Sequence, residues 1–193
     1  MKIILTSLIL VLSISASAEE LAWYQGSVVL KDKSVLRGEI AIHAAYDLIL
    51  YRDADGVSVY PAHKLTGFYY FDSVEKINHK FVSLPYEKSR SHYGLYETVR
   101  YGDLLVVRKI LFADADPADH ANSYAYFVWF ESELVSFREF NGKIFSRLTL
   151  DMPSFAQQVK DQKLDPHIRK DIIPIIALYE KALQSYAVRD SAF

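Results

Sequence analysis

The chain has 193 residues, of which 51% are apolar and 24% charged, and its formal net charge is −2. These are the proportions of a folded globular protein, and they exclude a disordered, collagen-like or low-complexity chain. There is no cysteine, which excludes disulfides, zinc–thiolate sites and cysteine nucleophiles, and the 14% of aromatic residues favours sheet over helix.

The first residues read as an export signal rather than as part of the fold. Lys2 supplies a positive start, Ile3 to Ile14 is almost wholly apolar, and Ala16-Ser17-Ala18 has the small-x-small form of a signal-peptidase site. The apolar run falls short of the about 20 residues that span a bilayer. The expectation is a signal peptide over 1–18 and an exported mature chain, periplasmic or secreted. Without Lys2 the 22 basic residues become 21, against 24 acidic ones, a net charge of −3. That near-neutral balance offers no footprint for nucleic acid and no polybasic surface for anionic lipid. No later stretch is apolar for long enough to read as a transmembrane helix.

From Trp23 to Leu150 the pattern is strand after strand. Gly26 to Lys31 turns at Asp32-Lys33-Ser34 into Val35 to Ile42, a hairpin with polar turn residues. Tyr46 to Tyr51, a turn at Asp53 to Gly56, and Val57 to Tyr60 follow, ended by Pro61. Phe68-Tyr69-Tyr70-Phe71 carries rings on both faces. Phe81 to Leu84, Tyr93 to Tyr101, Leu104 to Phe112 and Ser123 to Phe130 continue the series. Leu134 to Phe140 and Lys143 to Leu150 flank Asn141-Gly142, a strong hairpin signal. About ten short strands in this rhythm predict an antiparallel β-sandwich or barrel.

After Leu150 the period changes. Asp151 with Pro153 opens a helix whose Phe155 and Val159 share a face, and Asp165-Pro166 opens a short one through Lys170. From Asp171, Ile172, Ile176, Tyr179, Leu183 and Tyr186 make one apolar stripe, with Pro174 in the first turn. Such a stripe must be buried, and an aromatic sheet face is the natural acceptor. The domain reading is a signal over 1–18, an antiparallel β-domain over 19–150 and a helical extension over 151–193 packed on it. The fold class is mainly β (α+β).

No catalytic motif is present, so no catalytic residue is assigned. G-x-S-x-G, H-E-x-x-H, Walker and G-x-G-x-x-G patterns are all missing, and no two of the six histidines stand at H-x-H or H-x-x-x-H spacing. The loop holding Asp114, Asp116, Asp119 and His120 gathers candidate ligands for a hard cation but lacks the glycine and distal glutamate of a calcium loop. It reads as a solvated turn, and no metal or cofactor is expected. Lys88 to His92 places nucleophile and base types side by side, but neighbours on a chain rarely meet in working geometry, and the stretch reads as a polar loop. Tyr69, Tyr96, Tyr101, Tyr126 and Trp129 are candidates for an aromatic binding platform, or alternatively for core rings.

Trp23-Tyr24-Gln25-Gly26-Ser27-Val28-Val29-Leu30-Lys31-Asp32, then Tyr60-Pro61-Ala62-His63-Lys64-Leu65 and Phe68-Tyr69-Tyr70-Phe71-Asp72, resemble a group of secreted β-rich proteins of Bacteroidetes-type bacteria. The resemblance covers residues 23 to 112 and implies only an exported, β-rich chain. The leading expectation is an exported, non-catalytic binding or structural module of the cell envelope with a protein or glycan partner. A small secreted hydrolase-like enzyme with site residues from separate strands, and a carrier of lipid or another apolar ligand, are the alternatives.

Overall fold

The computed structural model describes residues 21–86, 89–110 and 124–190. The expected signal segment 1–18, the Asp114 to His120 loop and Lys88 therefore lie outside the described residues. The strands are β1 (Tyr24–Leu30), β2 (Val35–His43), β3 (Leu48–Asp53), β4 (Gly56–Pro61) and β5 (Leu65–Asp72), then β6 (Ile77–Tyr86), β7 (Ser89–Arg100), β8 (Leu105–Ile110), β9 (Tyr124–Phe130) and β10 (Glu133–Ser136). They form one ten-stranded sheet in the order β10-β9-β8-β7-β6-β5-β1-β2-β3-β4. The chain is thus β-rich α+β, as its patterning predicts, and its sheet is open at β4 and β10 rather than closed into a barrel.

Local chemistry explains the turns. Asp32 Oδ1 accepts the Ser34 amide at 2.9 Å and its hydroxyl at 2.6 Å, which holds the β1–β2 hairpin. The sheet then curls strongly. Its ladders shift register between Val29 and Leu30, Pro85 and Tyr86, and Thr98 and Arg100, and such bulges bend a strand. At Gly26 a Cβ would press on the Tyr69 carbonyl and on Ile40, so only glycine admits the close approach of β1 to its neighbours.

Curling creates three apolar clusters. The N-terminal half wraps around Val28, Ile40, Ile49, Leu65, Phe68 and Phe81. Phe68 and Phe81 are cross-strand partners whose rings stack at 4.6 Å. A second cluster joins Leu84, Tyr96, Val107 and Leu134, where β10 returns over β6. In the third, Leu104, Val106, Val128 and Val135 lie under the helices. Val106 and Val107 are neighbours in sequence and belong to different clusters, so β8 is buried on both faces.

The helical part begins earlier than the boundary at Leu150 implies. Instead of a hairpin at Asn141-Gly142, a wide π-type turn spans Asn141–Phe145, followed by α1 (Ser146–Asp151), α2 (Pro153–Asp161) and α3 (Arg169–Asp190). Phe140, Ile144 and Leu148 recur every four residues and are all fully buried, so helical periodicity overrides the turn dipeptide. Pro153 opens α2, whose Phe155 and Val159 are buried as expected. Residues 165–168 form turns rather than a helix, and α3 starts at Arg169, which places Pro174 inside it. Ile172, Ile175 and Ile176 of α3 are fully buried. They cover aliphatic residues of β8 to β10, not the rings of β5. No helix among the described residues is long and apolar enough to cross a membrane.

Candidate functional site

The curl brings the β2–β3 corner over the middle of the sheet. Between β2 and β3 a 3-10 turn, Ala44–Tyr46, ends at Asp47, which adopts a left-handed conformation (φ 48°, ψ 48°). Asp47 Oδ1 accepts the Leu95 amide of β7 at 2.9 Å. The β7–β8 ladder starts only at Glu97, so the carboxylate fills a split between those strands. Lys109 of β8 reaches both Asp47 oxygens at 2.8 Å, and the Tyr86 hydroxyl donates to Oδ2. Asp47 also accepts the Ala62 amide at its own carbonyl, and Ser83 Oγ donates to the Ala62 carbonyl at 2.6 Å. Side chains and a few backbone bonds thus latch a half-closed barrel that no strand pair among the described residues closes.

A cleft of about 440 Å³ opens at the mouth of this half-barrel. Its walls are Tyr24 of β1, the Ile42 to Ala45 corner, Tyr70 of β5, and Tyr124 of β9. Tyr24 stacks on Tyr70 with centroids 4.4 Å apart, and Tyr70 stacks on His79 at 5.0 Å. Burial pushes the Tyr70 hydroxyl well above the ordinary tyrosine range, aided by the neighbouring Tyr24 and Glu97 charges.

Across the floor runs a chain of charges. Cross-strand register sets Glu97 of β7 beside Phe81 of β6 and Arg108 of β8, and His79 lies two residues before Phe81 on the same face. Glu97 Oε1 meets His79 Nδ1 at 2.7 Å, and Arg108 Nε donates to Glu97 Oε2 at 2.6 Å. The hydrogen bond that Arg108 donates to the Glu97 carboxylate holds the guanidinium even more firmly protonated than usual. A carboxylate only accepts, so Nδ1 carries a proton, and in the neutral tautomer Nε2 is the nitrogen that keeps its lone pair. Arg108 also lies over the Tyr124 ring at 4.2 Å. Charge-assisted bonds on three strands therefore fix the floor before any ligand arrives.

The aromatic candidates do not converge. Tyr96 is buried at 1% exposure, and Trp129 packs against the same cluster. Tyr69 and Tyr101 are 50% and 75% exposed on the outer surface, with Lys80 opposite Tyr69 in register and its ammonium over the Tyr101 ring. Tyr126 lines a separate, shallower groove, where Arg169 lies over its ring at 4.4 Å. The rings that do gather, Tyr24, Tyr70 and Tyr124, share no local motif. Their only sequence signal is strand alternation, which places Tyr70 on the inward face but does not say which strands meet. Similarly, the pairing of His79 with Glu97 spans 18 residues across two strands. No protein-family model, curated protein or solved structure matches this chain.

Proposed function

We propose that the protein is an exported, non-catalytic binding module of the cell envelope that holds a small saccharide unit in the half-barrel mouth. One observation carries the reading: stacked rings and a pre-bonded charge chain line the same cleft. A sugar offers a flat C–H face to rings such as Tyr24 and hydroxyls to the remaining donors of Arg108, whose Nε is held by Glu97. The export pattern in residues 1–18 agrees with an envelope ligand. Two other readings fit the cleft less well. His79 held by Glu97 resembles the base of a hydrolase, but the described residues lining the cleft include no serine, threonine or cysteine to activate. A lipid carrier needs an apolar interior void, whereas the half-barrel interior is filled by Phe68, Phe81 and their neighbours and the cleft floor is charged.

Calorimetric titration with a panel of neutral and N-acetylated hexose oligosaccharides tests this. At least one is expected to bind with a dissociation constant of about 1 mM or tighter, near −4 kcal/mol. Tyr24→Ala is expected to weaken it about threefold to tenfold through the lost stacking. A panel in which nothing binds, or binding that Tyr24→Ala leaves unchanged, overturns the proposal.

A further inference from the structure

We infer that the β5–β6 turn carries a site for a single divalent transition cation of the zinc type, bound by Asp72, Glu75 and His79. One ligand atom from each of these residues lies within 4.8 Å of the other two. His79 Nε2 is 3.7 Å from Glu75 Oε2. A tetrahedral cation with bonds of about 2.0–2.2 Å holds its ligand atoms about 3.4 Å apart, so small side-chain adjustments suffice. The backbone supplies the rest of the placement. Asp72 closes the hairpin opposite Ile77, and its Oδ1 accepts the amides of Val74 at 2.7 Å and Glu75 at 3.0 Å. Both turn bonds use Oδ1, which leaves Oδ2 for a cation.

A second feature, outside the three ligands, points the same way. A histidine that binds a metal through one nitrogen almost always gives its other N–H to a carboxylate that fixes the ring. His79 does so through Nδ1 to Glu97, which Arg108 anchors in turn, and Tyr70 stacks on the ring. The imidazole is thereby locked with Nε2 toward the Glu75 carboxylate. Neither Asp72 nor Glu75 makes an ion pair with a lysine or arginine among the described residues, whereas Glu97 has Arg108. Two carboxylates and a neutral imidazole suit a borderline cation such as Zn²⁺ better than Ca²⁺, which takes six to eight oxygen ligands. Three protein donors leave a fourth position open. The inference does not depend on the cleft's ligand, because its test uses the metal alone.

The experiment is Zn²⁺ titration of the purified protein in chelator-treated buffer, followed by calorimetry and by metal content after dialysis. One equivalent is expected to bind, and Ca²⁺ at the same concentration is not. His79→Ala is expected to abolish uptake, and Glu75→Gln, on the exposed turn, to weaken it at least tenfold with an unchanged melting curve. Glu97→Gln acts as a positioning change and is expected to weaken binding about 10- to 100-fold. If His79→Ala fails to fold, Glu75→Gln alone decides. No uptake by the unaltered protein, or Zn²⁺ uptake that survives Glu75→Gln undiminished, overturns the inference.

Discussion

Asp47 shows how much one side chain can carry when a sheet leaves a gap. Its carboxylate satisfies the Leu95 amide, the Lys109 ammonium and the Tyr86 hydroxyl, in surroundings where the Asp47 and Lys109 side chains are only 15% and 18% exposed. Removing one member of a largely buried pair strands the other, which typically costs about 3–5 kcal/mol. Asp47→Ala is therefore expected to lower the unfolding free energy by about 3 kcal/mol, read from urea midpoints at constant slope. Combined with Lys109→Met, the loss is expected to be smaller than the sum of the single losses, because the stranded ammonium is gone too. Strict additivity would mean that the latch stores no coupling. Sequence spacing gives no hint of this role. Tyr46 to Tyr51 reads as strand, and Lys109 stands 62 positions away. A contact set by tertiary curling leaves no local pattern.

Among the elements, the strands were legible because period-2 alternation and polar turns act locally. The misread segment, 137–150, is instructive. Asn141-Gly142 favours a tight hairpin, yet Phe140, Ile144 and Leu148 line one helical face and bury completely. Apolar burial of about 1.5–3 kcal/mol for each large side chain outweighs a turn preference. The helical layer is anchored by more than its stripe. Glu180 of α3 is buried, pairs with Arg100 and lies where a Cβ on Gly102 would stand, at the β7–β8 turn. Deleting residues 151–193 would uncover Val106, Val128 and Val135 and leave Arg100 without its carboxylate. The truncated chain is expected to bind a hydrophobic dye or to aggregate on size-exclusion chromatography. A soluble, monomeric and cooperatively unfolding product would show that the helices do not stabilise the sheet.

Across the whole molecule, tyrosines tie stability to alkaline pH. Tyr51, Tyr70, Tyr86 and Tyr179 all have hydroxyls pushed up, chiefly by burial, from an ordinary value of 10.0. The folded state thus holds these protons more tightly than the unfolded one. Their contribution is fully present below about pH 10, and it is lost as the pH rises through the higher folded values. Urea midpoints are expected to fall steeply above about pH 10, with a shallower fall in Tyr70→Phe; an identical slope in that variant would refute the assignment. At this scale the class of the fold was readable, since about ten alternating segments followed by apolar stripes permit little else. Strand order and the cleft were not, because they depend on which distant edges meet. One such meeting has a kinetic consequence. Among the described residues, every ladder joins consecutive strands except β1 with β5. The loop-closure entropy of long-range pairing is concentrated at that single seam. The first five strands, through Asp72, hold every partner needed to close that seam, so the N-terminal half is a self-contained unit of pairing.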